Sequence, residues 1–112
     1  MTQPAIERRH LLTAGIGGRN VTTVDVREIQ FQPDQKTGRH FHPCAVVGYI
    51  VAGAALFQIE GQPEQTLAAG SAFYEPADAV LARFDNASIT EPMKFIACYL
   101  LDGAQDLIRM LG

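Results

Sequence analysis

His40 and His42 stand two residues apart in the stretch TGRHFHPCAVVGYIVAG, Thr37 to Gly53. Alternate side chains of an extended strand share a face, so both imidazoles can point at one spot. Two converging imidazoles begin a site for zinc, iron, nickel or copper. The same spacing fits two surface histidines, or two hydrogen-bonded core histidines, so the rest of the chain has to decide. Three residues are placed to add a donor. Cys44 shares the parity of the histidines, and a thiolate is a soft metal ligand; a buried thiol beside Pro43 fits equally well. Glu75, in SAFYEP, either reaches solvent or faces inward, where a buried carboxylate needs a partner. Facing inward, it completes a two-histidine, one-carboxylate set typical of non-haem iron, or hydrogen-bonds a histidine and raises its pKa. Gln58, in ALFQIE, offers an amide to a bound molecule from one face of its strand and is ordinary surface on the other.

Aromatic side chains recur along the chain at Tyr49, Phe57, Phe73, Tyr74 and Phe84. We assign Tyr49, Phe73 and Phe84, with Gln58, to the wall of a candidate pocket suited to a small, partly apolar organic molecule. No nucleophile constellation is selected. Ser71 and Ser88 lack a glycine elbow, and His10 lies in the N-terminal arm.

The elements that must position these residues are short. Pro4 to Leu12 reads as a short helix or an irregular arm, ended by Gly15, Gly17 and Gly18. From Val21 the texture becomes apolar runs separated by turns. Strands are expected over Val21 to Phe31, Val46 to Val51, Ala55 to Ile59, Thr66 to Ala68, Ser71 to Glu75, Val80 to Phe84 and Met93 to Leu100. The alternation slips between Val26 and Ile29, which predicts a bulge there. In DGAQDLIRMLG the spacing of Leu107, Ile108 and Leu111 predicts a helix, with Asp102 and Gln105 in capping-box positions. The division is therefore an N-terminal arm over residues 1–20, an all-β barrel over 21–101 and a C-terminal helix over 102–112.

Composition bounds the function. The 112 residues fit one domain, 47% hydrophobic and 19% charged, with a net charge of -3. The basic residues are scattered, and Arg8-Arg9 is too small a cluster to track phosphates, so nucleic acid is not an expected partner. No run approaches the roughly 20 apolar residues of a membrane helix. The first ten residues lack the apolar core of a signal peptide, so the cytoplasm is the expected compartment. Cys44 and Cys98 are then expected as free thiols.

The order of these motifs resembles the cupin superfamily of small jelly-roll β-barrels. Its first motif, G(x)5HxH(x)3-4E(x)6G, is similar to His40-Phe41-His42 followed by Gly53. Its second, G(x)5PxG(x)2H(x)3N, is similar to GSAFYEP, with Gly70 and Pro76, running on to Asp85 or Asn86. The resemblance covers about Val21 to Leu100 and implies a single jelly-roll barrel. It also implies a three-histidine, one-glutamate metal set, from which this chain departs. Val46 fills the glutamate position, Leu81 the third histidine position and Asp78 the usual glycine. Glu75 or Cys44 must then stand in if iron, zinc, nickel or manganese is bound beside His40 and His42.

Three functions follow. The first is a barrel that binds a small organic molecule around the two histidines, with a non-standard metal site. The second is a metal-dependent enzyme of dioxygenase, isomerase or decarboxylase type, as the resemblance implies. The third is a structural domain without a working pocket. Small cupin barrels resemble homodimers, and the long Val21–Phe31 strand offers an apolar-rich surface for one.

Overall fold

The computed structural model describes residues 2–112. Nine strands form: β1 Thr23–Phe31, β2 His40–Phe41, β3 Ala45–Ala52, β4 Ala54–Ile59, β5 Gln65–Ala68, β6 Ala72–Glu75, β7 Val80–Asn86, β8 Met93–Leu101 and β9 Arg109–Met110. They build two antiparallel sheets, in the orders β1-β8-β3-β6 and β5-β4-β7-β2-β9. The architecture is all-β, as expected, but the two sheets do not close into one barrel.

Alternation sets the inner face of each strand. In β8, Met93, Phe95, Ala97, Tyr99 and Leu101 are buried, with half-exposed residues between them. Val46, Gly48 and Ile50 of β3, and Phe73 and Glu75 of β6, face the same way. The second sheet answers with Ala55, Phe57, Leu81 and Phe84. Phe73, Phe84 and Phe95 meet at ring-centroid distances of 4.8 to 6.0 Å, and Phe31 stands edge-on to Phe95 at 5.5 Å. Such packing is worth about 0.5–1.5 kcal/mol per pair beyond the buried area. Gly48 makes it possible, because a Cβ there would run into the Phe73 ring directly across the ladder.

Two local expectations are corrected. β1 pairs with β8 in unbroken register from Thr23↔Leu101 to Phe31↔Met93, so it carries no bulge. The slip in its apolar pattern has another cause: Asp25 and Arg27 share the inner face with Ile29 and Phe31, leaving Val24 and Val26 outside. A register shift lies instead in the β4–β7 pairing, where Gln58↔Arg83 is followed by Ile59↔Leu81. That shift lets Leu81 and Phe84, three residues apart, both point inward.

The C-terminal segment is not a helix. Gln105 does reach back to the Asp102 amide at 2.8 Å, as a capping box would, but Gly103 at φ 65 closes a turn there. The chain then extends, and β9 adds to the edge of β2. The free edge of β2 satisfies the backbone better than an isolated last turn of helix. The arm before β1 has no regular structure and runs outside β6, where the Tyr74 hydroxyl donates to the Gly15 carbonyl at 3.4 Å.

Candidate metal centre

Two sheets contribute to one buried cluster. His40 comes from β2, His42 from the link after it, and Glu75 from the end of β6. One donor atom from each lies within 4.8 Å of the other two, and all three side chains are buried. The imidazole rings stand edge to face, with centroids 5.0 Å apart.

Each imidazole is oriented by a backbone carbonyl. His40 Nδ1 lies 2.7 Å from the Gly38 oxygen, and His42 Nδ1 lies 2.6 Å from the Leu107 oxygen. A carbonyl only accepts, so Nδ1 carries the proton in both rings and donates it. In the neutral rings both Nε2 atoms therefore turn lone pairs toward the centre, as metal-bound histidines do. Gly38 lies at φ 92, a conformation that favours glycine and folds its carbonyl back beneath the His40 ring.

Glu75 supplies the third donor. Its Oε2 approaches His42 Nε2 to 2.6 Å. Close as this is, Oε2 is the single buried side-chain N or O atom among the described residues without an aligned hydrogen bond. Two lone pairs at that separation repel, so the arrangement calls for a cation or a proton. Burial pushes both imidazoles toward the neutral form. In His40 burial wins over the Gly38 carbonyl and Glu75, and its pKa is lowered. In His42 the Glu75 carboxylate and the Leu107 carbonyl together outweigh burial, and its pKa is raised.

The ladder explains how the set is assembled. Glu75 pairs directly with Val46, the position where the cupin motif carries its glutamate. Cross-strand partners hold their Cβ atoms about 4.5–5.5 Å apart on one face, so a carboxylate from β6 reaches the space that one from β3 would fill. Leu81, at the third histidine position, lies opposite His40 and is fully buried in the core.

Cys44 is not in the cluster. The chain bends at Pro43 and Cys44 as it crosses from one sheet to the other, which ends the strand parity that linked the thiol to the histidines. Burial raises its pKa and disfavours the thiolate a metal would need. Gln58 faces away and donates to the Gln62 carbonyl at 3.0 Å. Tyr49 lies on the outer face of β3. Neither lines the cavity, whereas Phe73 and Phe84 do.

That cavity measures about 240 Å³. His40, His42 and Glu75 form its polar side; Ile29, Phe31, Val46, Phe95 and Ile108 join the two phenylalanines on the apolar side. Tyr99 also lines it, unannounced by any motif, 5.8 Å from His42 by ring centroid. Its alternation with Met93, Phe95 and Ala97 was the available signal. Its phenol is pushed up to about 12, by burial first and then by the Glu75 charge. The Leu107 carbonyl had no such signal, since a backbone atom leaves no mark on residue type.

A two-sheet β-domain with inward histidines and an apolar cavity is the cupin arrangement. The cupin domain model matches residues 27–99, and the chain belongs to that family. Comparison with curated proteins gives no match. Among solved structures, one of the DMSP lyases RdDddP and RnDddQII aligns at 25% identity and a TM-score of 0.68, over 80% of this chain and 44% of that one. A cupin-like protein from Thermotoga maritima aligns at 22% identity and a TM-score of 0.68, over 80% of this chain and 65% of that one. The polyketide cyclase RemF from Streptomyces resistomycificus aligns at 16% identity and a TM-score of 0.66, over 80% and 61%. The chain thus spans less than half the length of the lyase it resembles. No helix among the described residues is long and apolar enough to cross a membrane.

Proposed function

We propose that this cupin domain binds a divalent transition metal through His40, His42 and Glu75 and holds a small organic molecule against it. The unsatisfied Glu75 Oε2, facing two imidazole lone pairs, carries this reading. Two histidines and one carboxylate suit iron, and equally zinc, nickel or manganese, with positions left open for a ligand. When bound, the metal supplies a Lewis acid and a site for an oxygen donor. The chain's own residues orient the donors through Gly38 and Leu107 and exclude water with the phenylalanine wall. Elemental analysis and calorimetric titration test this. We expect one ion per chain, and loss of binding in Glu75→Gln and His42→Ala. Wild type that takes up none of the four metals would end the proposal.

An enzymatic role is the second reading. A lyase and a cyclase among the similar folds, with open metal positions beside an apolar cavity, support it. We further propose that the chain is a homodimer, on the outward Val24 and Val26.

A further inference from the structure

The composition of the cavity wall narrows what the metal would hold. The lining carries no lysine or arginine, and its titratable groups are His40, His42, Glu75 and Tyr99. Arg27, whose charge acts on the Tyr99 phenol, lies outside the lining and is held by Asp25 at 2.8 Å. No cation other than the metal is therefore at hand to neutralise a bound anion.

Charge balance follows. A divalent ion with two neutral imidazoles and one carboxylate keeps a single positive charge. One anionic oxygen cancels it; a dianion would leave a bare negative charge in an apolar cavity, which is costly. Size and shape add a second limit. About 240 Å³ lies below the range of roughly 300–1,000 Å³ for drug-sized ligands, so one ring is the natural load. Phe73, Phe84 and Phe95 present faces and edges at tilted angles, the packing that flat aromatic rings share. Tyr99 lines the cavity beside His42, and a phenol donates to an oxygen.

Resting on the metal reading above, we infer that the ligand is a flat, single-ring molecule that places one anionic oxygen on the metal, a phenolate or an arene monocarboxylate. A phenol would release its proton to solvent on binding, so nothing is oxidised or reduced. Tyr99 is then a specificity residue that donates to the bound oxygen or its neighbour.

The test uses the full chain loaded with zinc, its stoichiometry first fixed by elemental analysis. Calorimetry then compares phenol, benzoate, acetate and benzene-1,4-dicarboxylate. Burying a ring of phenylalanine size is worth roughly one to two orders of magnitude in affinity. Phenol or benzoate should therefore bind at least about tenfold tighter than acetate. The dicarboxylate should be weaker than benzoate by a similar factor, and the stronger of the two ring probes names the oxygen source. Tyr99→Phe should weaken the favoured ring probe severalfold while zinc affinity stays unchanged. Acetate or the dicarboxylate binding as tightly as benzoate and phenol, on zinc-loaded protein, overturns the ligand class alone. Failure to load zinc or any other divalent metal overturns the metal reading and the inference with it.

Discussion

A carboxylate facing two imidazole lone pairs is stable only with a positive charge between them, and at the residue scale Glu75 carries that constraint. Its ladder partner Val46 makes the position testable by exchange. Glu75→Val should cost more than the 10- to 100-fold typical of lost outer-shell partners, because a direct donor is removed. Adding Val46→Glu to that variant should restore much of the metal affinity in calorimetry, since both positions point into the same space. Recovery no better than the single variant would show that strand position, not charge, decides. In the metal-free protein a proton takes the place of the cation. The folded pKa of His42 lies above its ordinary value of 6.5. Its pairing with Glu75 therefore adds stability in full below about pH 6.5, and that increment is lost as pH rises through the raised value. Comparing the Tm of metal-free wild type with that of His42→Gln should show a gap at pH 5.5 that narrows by pH 8.5. A gap that widens over that range would contradict the pairing.

At the scale of elements, the C-terminal strap joins the site to the edge of the sheet. The Leu107 carbonyl accepts from His42 Nδ1, Ile108 lines the cavity, and β9 pins both by pairing with β2. Deleting residues 107–112 should lower metal affinity by about 10- to 100-fold, the range for lost outer-shell partners, while the family core over 27–99 stays folded. Circular dichroism beside the metal titration separates the two effects; unchanged affinity would make the strap incidental. This strap is also where the sequence was least legible. Leu107, Ile108 and Leu111 fit a helical face as local spacing, and the free edge of β2 that claims them is a long-range fact. The strands from β3 to β8 were readable because alternation and turns are local. The inward turn of Glu75 was not, since it depends on which strand β6 pairs with. Cys44 shows the reverse failure, as strand parity was carried across a bend at Pro43 that takes the chain into the other sheet.

At the scale of the whole molecule, the outer face of β1 and β8 is apolar. Strand alternation places Val24 and Val26 of β1 outward, 54% and 62% exposed, beside half-buried Ile96, Cys98 and Leu100 of β8. The arm does not cover them. It crosses the far edge of this sheet, held by Tyr74 on Gly15 and by Arg19 on the Pro43 carbonyl at 3.1 Å, and leaves Ile6 77% exposed. An apolar sheet face of this kind marks an interaction surface more often than plain solvent contact. A second copy is the partner we propose, because a two-fold pairing buries the same strand on both chains and needs no further component. Sedimentation of the 12.2 kDa chain should give a dimer at micromolar concentration. Val24→Lys with Val26→Lys should give a monomer that still binds one metal ion, since neither side chain lines the cavity. A monomeric wild type would remove the dimer, and a double variant that remains dimeric would move the interface to another face.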